Sequence, residues 1–575
     1  MLDRARQTSR DVVDLVEEAR RRRTGDLVLE LDLTEPLVDS VPHDPVSAVL
    51  ARRRTSLRAV LDGLRRAGTD PRVRALVVKV GGSRSPLALA RAQELRGAVE
   101  ELRRHGKLTV AWAETFGELD RGSAAYYVAS GCDQVWLQPS GDVCLTGVAV
   151  KVPFLRDALD KAGVTAQVAQ RHEYKSAANL VTERAFTPAH REATERLVAS
   201  LTDQIIAGVA AGRRLDAGQV RELVDRAPLF ADEALDAGLV DRLGYRDEVY
   251  AAVRDEVGAS SVLCFVDRYA RSAARARPRR GDRLPHIAVV DVTGTIHLGR
   301  SGRRPLGGMT AGAATVCAAL RAAAADRDVA AVVLRVDSRG GSYVASDAIW
   351  REVVVTREAG TPIVASMGDV AASGGYFVAM GADAIVAEPA TLTGSIGVVA
   401  GKGVVEGLAD RLGIGHESVA GAPHGLMFSP LRPFSDDEWA RLNAWLDRIY
   451  GDFTAKVAAG RGLPPDRVED VARGRVWTGA DAHGHGLVDE LGGLALAAEV
   501  ARVRAGLPAD PAPDLVAYPR LPLVTRMRRP RSSEDPAAAG AATAWDGWGD
   551  LAGLAAQLGL PVEGPLTLPA DRLPA

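Results

Sequence analysis

Short apolar runs alternate with helical patterns through both halves of the chain, most clearly in the second half. There, four runs rich in β-branched residues predict buried strands, and two patterns between them predict helices. The strands are 287–292, 331–336, 363–367 and 384–387, and the helices are 310–325 and 346–359. Because the strand runs are continuously apolar, both faces of the sheet should be covered, as in parallel sheets. The pattern predicts an α/β fold with parallel sheets covered by helices.

The same pattern occurs twice along the chain. Three segments of the first half match three segments of the second half in the same order, at offsets that drift from 256 to 248 residues. The matched pairs are 70–80 with 326–336, 123–133 with 373–383, and 238–244 with 486–492. Three collinear matches indicate a tandem duplication of one domain of about 220 to 240 residues.

The repeat and the changes of composition around it predict five segments. Two are the duplicated α/β domains, and the others are a basic arm, a basic linker and a tail rich in Pro and Ala. The segments are an N-terminal basic helix or arm over 1–24, a first domain over 25–270, a linker over 271–284, a second domain over 285–503 and a largely disordered tail over 504–575.

The composition is that of a globular protein. Hydrophobic residues make up 47% of the chain and charged residues 25%, and the formal net charge is -2. A near-neutral balance argues against general nucleic-acid binding. The four cysteines contain no CxxC pair, so the sequence predicts neither a zinc site nor a disulfide framework. We expect no metal and no cofactor.

No segment predicts export or insertion into a membrane. Residues 1–24 carry arginines around short apolar patches, so they lack the apolar core of a signal peptide. No window reaches the roughly 18 uncharged apolar residues that a spanning helix needs. We therefore expect a cytoplasmic protein, with peripheral contact at a membrane surface as the alternative.

The stretch 369–376, Asp-Val-Ala-Ala-Ser-Gly-Gly-Tyr, is the first candidate for chemistry. Its small residues leave Ser373 open to close approach by a substrate and by backbone donors, which suits a nucleophile. The same string also suits a tight strand-to-helix turn without any chemistry. The stretch alone does not decide between these interpretations, and a nucleophilic serine would still need a base.

Lys175 is the candidate base, and the repeat points to it. Lys175 stands 52 residues after Ser123, the counterpart of Ser373, whereas the same spacing after Ser373 reaches Gly425. Each copy thus lacks a different part of one constellation, which predicts a divided active site. Only seven of the 72 basic residues are lysine, so a lysine here indicates a need to lose a proton. A Ser-His-Asp arrangement stays open, because its members meet only in space.

A base and an oxyanion site complete the predicted chemistry. Lys175 can act as a general base only if burial lowers its pKa from about 10.4 to roughly 7 or 8. Ser395 is the predicted hydroxyl that orients the amine. Gly340 and Gly341 follow a predicted strand at the end where parallel sheets hold ligands, so their amides can stabilise an oxyanion. Gly374, which follows the serine directly, completes the predicted oxyanion site.

Five motifs in the two copies carry a resemblance to a known family. They are LRVDSRGGS at 334–342, SMGDVAASGGY at 366–376, LTGSIG at 392–397, YKSA at 174–177 and GRVWTG at 474–479. From about residue 27 to residue 491 the chain resembles the signal peptide peptidase family, protease IV, in its long double-domain form. One position departs from the family pattern, because Arg339 stands where the family usually has proline.

The resemblance implies tandem ClpP/crotonase-like domains and a serine endopeptidase with a Ser-Lys dyad. In it Ser373 is the nucleophile, Lys175 is the base, Ser395 contacts the lysine, and the oxyanion site lies near Gly340 and Gly341. The implied substrates are hydrophobic peptides such as cleaved signal peptides. The implied assembly is a ring-like homo-oligomer, with a tetramer as the candidate size.

The residues alone are also compatible with two other functions. A crotonase-like acyl-CoA enzyme would use the same fold, although its chemistry usually needs positioned carboxylates near the oxyanion site, and the sequence gives no clear sign of them. A non-catalytic, membrane-associated scaffold would keep the fold with a decayed dyad.

Overall fold

Two parallel sheets, one from each half of the chain, form the frame of the protein. The computed structural model describes residues 25–38, 55–81, 87–118, 120–276, 285–304, 308–510, 513–519 and 566–567. The strands of the first half are Leu27–Asp32 (β1), Val73–Lys79 (β2), Leu108–Ala113 (β3), Gln134–Leu137 (β4), Asp142–Val143 (β5), Thr165–Gln170 (β6), Leu229–Phe230 (β7), Arg242–Leu243 (β8) and Val262–Phe265 (β9).

The second half has more short strands than the first. They are His286–Thr293 (β10), Thr295–His297 (β11), Arg300–Arg304 (β12), Gly308–Gly312 (β13), Val329–Ser338 (β14), Gly340–Gly341 (β15), Ile363–Ala372 (β16), Ala384–Ala387 (β17), Leu392–Gly394 (β18), Val399–Val404 (β19), Val476–Thr478 (β20), Glu490–Leu491 (β21), Leu515–Tyr518 (β22) and Leu566–Thr567 (β23).

The two main sheets repeat one topology. The first has the order β8-β4-β3-β2-β1-β9, and the second contains the order β21-β17-β16-β14-β10-β22. All neighbours in these two orders are parallel. The central strands are almost entirely buried, as parallel strands covered on both faces must be. The predictions of an α/β fold and of a tandem duplication are confirmed.

Helices cover the faces of both sheets. Those of the first half are Leu57–Thr69 (α1), Leu89–Arg104 (α2), Ser123–Ala129 (α3), Arg156–Ala162 (α4), Asn179–Thr182 (α5), Pro188–Arg213 (α6), Ala217–Arg226 (α7), Ala231–Asp236 (α8), Arg246–Val257 (α9) and Val266–Ala276 (α10). Those of the second half are Ala313–Ala325 (α11), Tyr343–Glu358 (α12), Gly374–Ala379 (α13), Glu406–Arg411 (α14), Asp436–Arg461 (α15), Pro465–Val471 (α16), Gly479–Gly484 (α17) and Leu494–Arg504 (α18).

The longest helices, α6 and α15, correspond to each other in the repeat. Each has 26 residues and begins at a residue whose side chain accepts a hydrogen bond from the first turn. Thr187 caps α6 ahead of Pro188, and Ser435 caps α15 in a capping box with Glu438. Such caps satisfy backbone N–H groups that have no partner within the helix. The starts of these helices are therefore determined locally.

Strand β16 is longer than the apolar pattern predicted. A strand over 363–367 was expected before a turn of small residues, but the strand continues to Ala372. It continues because residues 370–372 pair with β18, a contact that no local pattern encodes. The turn is thereby reduced to Ser373, and α13 begins at Gly374.

Two segment boundaries differ from the prediction. Residues 515–518, expected in the tail, form an edge strand of the second sheet. They take the place of β9 in the first sheet, at an offset of 253 residues (515 − 262) that differs from the 248 residues of the preceding match. Helix α10 continues to Ala276, into the predicted linker. The predicted arm over 1–24 and the linker residues 277–284 lie outside the described residues.

One of the buried hydrophobic clusters spans both halves. Leu95 and Val99 of α2 belong to the same buried cluster as Val333 and Val364 of the second sheet and Leu494 of α18. Each such side chain contributes about 1.5–3 kcal/mol when it leaves water. Separating the halves would therefore expose core side chains.

A small antiparallel sheet also joins the two halves. β6 of the first half pairs along its whole length with β19 of the second, from Thr165 opposite Val404 to Gln170 opposite Val399. The backbone pairing continues with Arg171 N–H, which donates to Val398 O at 3.0 Å. This sheet brings the chain that follows β6 onto the second domain.

An ion pair is buried where α2 meets the second sheet. Arg335 of β14 lies 2.7 Å from Glu94 of α2, and the two side chains are 7% and 4% exposed. Glu94 also accepts the Leu494 N–H at 2.6 Å, and Arg335 donates to Ser366 Oγ at 2.9 Å. Burial, together with the charge of Glu94, raises the pKa of nearby Glu388 to about 8. Arg335 is therefore the cation that compensates buried Glu94, whereas Glu388 is mostly protonated at neutral pH.

Arg335→Met is expected to lower the free energy of unfolding by about 3–5 kcal/mol, because it leaves Glu94 buried without its cation. The double variant Glu94→Gln/Arg335→Met should recover much of that loss, since neither charge then remains. Urea denaturation followed by tryptophan fluorescence measures both effects.

The matched control is Arg103→Met, which removes a partly exposed pair with Asp133 and should cost about 1 kcal/mol or less. A loss for Arg335→Met that is no larger than the loss for Arg103→Met would contradict the assigned role of the buried pair.

Candidate active site

Ser373 forms the single-residue turn between β16 and α13. Its backbone has φ 55° and ψ -114°, a conformation that residues with a side chain rarely adopt. Two hydrogen bonds hold it in place, because Ser373 N–H donates to Gly394 O at 2.8 Å and Ser373 O accepts from Phe377 N–H at 2.9 Å. The residue is fully buried. Backbone strain of this kind persists only where neighbours enforce it, and it is frequent at functional sites.

Lys175 comes from the first half of the chain and meets Ser373 between the domains. It follows β6 and directly precedes a short 3-10 turn, Ser176–Ala178. Its Nζ lies 2.9 Å from Ser373 Oγ, 2.9 Å from Ser395 Oγ and 3.0 Å from Ser395 O. The residue is 1% exposed. The structure brings together the three residues that were predicted as nucleophile, base and orienting hydroxyl.

Ser395 is held so that both of its oxygen atoms face the amine. It follows β18 and has a positive φ of 51°. Its N–H donates to Arg475 O at 2.7 Å, which ties it to the chain that leads into β20. The carbonyl of Ser395 can only accept a hydrogen bond, whereas its hydroxyl can accept or donate. Ser395 therefore constrains how protons are arranged on Lys175.

Burial controls the charge of Lys175. It lowers the pKa of the amine from 10.5 to about 7, because a charged ammonium loses its hydration in a buried site. Within the described ranges no carboxylate forms an ion pair with Nζ. A substantial fraction of the amine is thus neutral at neutral pH, as a general base must be.

The three predicted oxyanion glycines lie side by side. A Cβ on Gly374 would lie 2.9 Å from Gly340 Cα and 3.2 Å from Gly341 N, so only glycine permits this approach. Gly340 N–H donates to Ser338 Oγ at 3.1 Å, and that hydroxyl donates to Gly294 O at 2.6 Å. The Gly340 amide can serve an oxyanion only after Ser338 turns away, a condition that the sequence did not predict.

The strand Gly340–Gly341 (β15) is an edge where an extended chain can pair. On one side Gly341 lies opposite Ile296 of β11. On the other side the backbone of Leu566–Thr567 (β23) pairs with β15 in antiparallel register. A segment near the C-terminal end of the sequence thus lies as an added strand along the predicted oxyanion glycines.

The first domain holds a counterpart of the serine turn without its chemistry. Ser123 occupies the position of the repeat that corresponds to Ser373, and its Oγ accepts the Gly147 N–H at 3.1 Å. The same oxygen lies 3.3 Å from Gly147 O. Its hydroxyl is therefore engaged by backbone groups, which is a structural role.

The motif at 474–479 carried no predicted role, yet the structure places its first two residues against the lysine turn and Ser395. Comparison of the two copies could have found them. At the repeat offset of 248 residues, Arg475 corresponds to Ala227 (475 − 248 = 227) and Gly474 to Arg226. The Gly-Arg pair is thus present in the copy that packs on Lys175 and absent from the other.

The described ranges contain neither a metal-binding cluster nor a membrane-spanning helix. No group of three or more His, Cys, Asp or Glu side chains there is arranged to hold a metal ion. None of the described helices combines the length and the apolar character that crossing a bilayer requires.

A family model and two relatives that match most of the chain indicate one family. The model of peptidase family S49 matches residues 101–260 and 355–508. The chain is 31% identical over 481 residues to the chloroplastic serine protease SPPA of Arabidopsis thaliana, covering 81% of this chain and 68% of that protein. It is 31% identical over 507 residues to Protease 4 of Salmonella typhi, covering 83% of this chain and 78% of that protein.

Among solved structures, a mutant ClpP1 from Listeria monocytogenes matches with a TM-score of 0.22 and 15% identity, over 35% of this chain and 90% of that chain. At these values the likeness says nothing about chemistry.

Lys175 is expected to titrate with a pKa of about 7, well below the ordinary value of about 10.4. Side-chain NMR of protein labelled selectively on lysine measures it, because the chain has only seven lysines and the signal missing from Lys175→Ala assigns the residue. A midpoint in the ordinary range would mean that water reaches the amine, contrary to its burial.

Proposed function

The chain belongs to peptidase family S49 and is a serine-type peptidase; on that premise we propose that Ser373 is its nucleophile and Lys175 its general base. The observation that carries the proposal is the 2.9 Å contact between Lys175 Nζ and Ser373 Oγ, two residues that are both buried. Family membership also favours peptide hydrolysis over the acyl-CoA chemistry that the fold would otherwise allow.

The three oxygen atoms around Lys175 Nζ can accept the three N–H groups of an ammonium, and they also suit the neutral amine that the mechanism needs. A neutral amine has two N–H donors and one lone pair. Ser395 O and Ser395 Oγ, at 3.0 and 2.9 Å, take the two donors, which directs the lone pair at the Ser373 hydroxyl. An amine arranged in this way accepts the serine proton without first having to reorient.

The reaction then proceeds in two steps. Ser373 Oγ attacks the carbonyl carbon of the peptide while Lys175 takes its proton, and Lys175 passes that proton to the leaving amine as the C–N bond breaks. Water attacks the resulting ester, Lys175 takes the proton from water and returns it to Ser373, and the acid product leaves. The same amine therefore serves as base and as acid in both steps.

The glycines beside Ser373 are the proposed donors to the oxyanion. Gly341 and Gly374 lie close together there, and Gly340 joins them if Ser338 releases its amide. Backbone N–H groups aimed at the developing charge are typical of acyl-transfer sites.

The proposed substrate is an extended, apolar peptide such as a cleaved signal peptide. The antiparallel pairing of Leu566–Thr567 with Gly340–Gly341 supports an extended backbone, because a substrate strand can add to the same edge. The buried dyad supports apolar side chains, since they lose the least hydration on entering a dry site.

Assembly and membrane contact stay predictions. Large apolar side chains are exposed in the segment between β19 and α15, where copies of the chain could meet. They are Leu412, Ile414, Val419 and Phe428. A homo-oligomer, with a tetramer as the candidate size, and peripheral contact with a membrane are both compatible with this surface.

Ser373→Ala and Lys175→Ala are each expected to reduce cleavage of a fluorogenic apolar peptide by about 10³-fold or more, because each removes one member of a unit that acts together. Wild-type cleavage should rise as the pH passes through about 7, where Lys175 loses its proton.

Lys161→Ala is the matched control, because Lys161 lies on the exposed helix α4 and should leave the rate unchanged. Undiminished cleavage by either dyad variant would overturn the proposed mechanism.

Deletion of residues 561–575 is expected to lower KM for an extended peptide severalfold and to leave kcat unchanged, because the substrate no longer competes with β23 for the Gly340–Gly341 edge. Steady-state kinetics with one peptide measures both constants. Deletion of 571–575 leaves both β23 residues in place and serves as the control. An unchanged KM after the longer deletion would show that substrates do not use this edge.

A further inference from the structure

A tight turn of the second domain, Arg473–Gly474–Arg475, packs against the backbone of Lys175. Gly474 has a positive φ of 85°, and its N–H donates to Ile396 O at 2.7 Å. A Cβ on Gly474 would lie 2.5 Å from Lys175 Cβ and 2.6 Å from Lys175 Cα. The approach is so close that no other residue fits, so any movement of this turn is transmitted directly to the lysine.

Arg475 contacts both elements that determine where the amine lies. Its guanidinium lies between two aromatic rings, 4.9 Å from the centre of Tyr174 and 4.3 Å from the centre of Trp477. Tyr174 directly precedes Lys175. The same guanidinium lies 2.7 Å from Glu192 of α6, and the Arg475 carbonyl accepts the Ser395 N–H at 2.7 Å.

Arg473 forms an ion pair with the segment that precedes Lys175. The Arg473 guanidinium lies 2.9 Å from Glu173, two residues before Lys175. The backbone N–H of Arg473 donates to Tyr450 Oη at 3.3 Å. Its φ of 54° is rare for a residue with a side chain. The strain is consistent with a turn whose conformation is enforced by contacts on both sides.

We propose that Arg475 is a positioning residue that holds the Lys175 amine between Ser373 and Ser395 by clamping Tyr174 and Glu192 of the first domain onto the second. The inference rests on the proposed Ser-Lys function and adds to it a residue with no contact to the reacting atoms. The first copy of the repeat has Ala227 at this place, where no lysine turn has to be held.

Loosening the clamp should change the titration of the base. If the lysine turn moves away, water reaches the amine and its pKa rises toward the ordinary value, so the active neutral form appears only at higher pH. The charged groups around the turn are paired with one another, Glu173 with Arg473 and Glu192 with Arg475. The His172 imidazole lies 3.7 Å from Glu469.

Charge and geometry can be separated by two substitutions. Arg475→Met removes both the charge and the planar group. Arg475→Lys keeps the charge and can still meet Glu192, but an ammonium cannot lie flat between Tyr174 and Trp477 as a guanidinium does. A positioning role predicts that both variants shift the pH profile of kcat. A purely electrostatic role predicts that Arg475→Lys keeps the wild-type pH profile.

The experiment measures peptide cleavage by the full chain between pH 6 and pH 10 for wild type and both Arg475 variants. We expect the pH midpoint of kcat to rise by about one pH unit, which is roughly a fivefold loss of rate at pH 7 when the wild-type midpoint is about 7, with KM little changed. Lysine-selective NMR should show the same rise for Lys175 and does not depend on activity.

Arg196→Met is the matched control, because Arg196 of α6 also joins the two domains, through Asp481 of α17, on an exposed surface. It should leave the midpoint unchanged. The inference is overturned if the Arg475 variants lose rate equally at all pH values, if Arg475→Lys behaves as wild type, or if Arg196→Met shifts the midpoint as much.

Failure of this inference and failure of the proposed function give different results. If cleavage survives Lys175→Ala, Lys175 is not the base, and Arg475 has no base to position. A dyad that requires Lys175, together with an unshifted midpoint in the Arg475 variants, would overturn the clamp alone.

Discussion

The removal of one lysine amine from water, with no carboxylate paired to it in the part of the chain that the structure describes, is the constraint on which the site depends. A lysine amine in water stays charged at neutral pH and cannot take a proton from serine. Burial lowers the pKa of Lys175 to about 7, whereas an adjacent carboxylate would keep the amine charged. The partners of the amine must then be hydroxyl and carbonyl oxygens, as Ser373 and Ser395 provide.

Carboxylates between the domains are paired with arginines. Asp369, four residues before the serine, is held by Arg91 through an ion pair at 2.8 Å and a backbone N–H at 3.1 Å. Glu94 is held by Arg335 in the buried pair. Arginine suits these positions because its guanidinium stays charged and binds carboxylates with two nitrogen atoms. Each of these carboxylates is thus paired with an arginine.

The duplication gives this arrangement its stability. Two sheets of the same strand order pack with helices α2 and α18 between them, and the pairing of β6 with β19 brings the lysine of one copy to the serine of the other. Each copy is thereby free to lose the part that the other supplies. The Ser123 hydroxyl accepts a hydrogen bond from the Gly147 N–H. Gly425, the counterpart of Lys175 in the second copy, lies on an exposed turn.

The sequence by itself determined the fold class and the duplication, and it identified Ser373 and Lys175 as candidate partners in one site. Apolar periodicity is a local signal, and a repeat of about 250 residues leaves a trace that one sequence can reveal by comparison with itself. The bounds of strand 384–387 were predicted correctly for the same reason, since burial on both faces leaves a continuous apolar run.

Only the tertiary structure decided the extension of β16 to Ala372, the addition of β22 to the second sheet, the engagement of Gly340 by Ser338 and the contact of Arg475 with Tyr174. Each depends on a partner that belongs to another strand, turn or domain. A hydrogen bond or a ring contact formed across the fold leaves no periodicity in the sequence around either partner, so local patterns cannot report it.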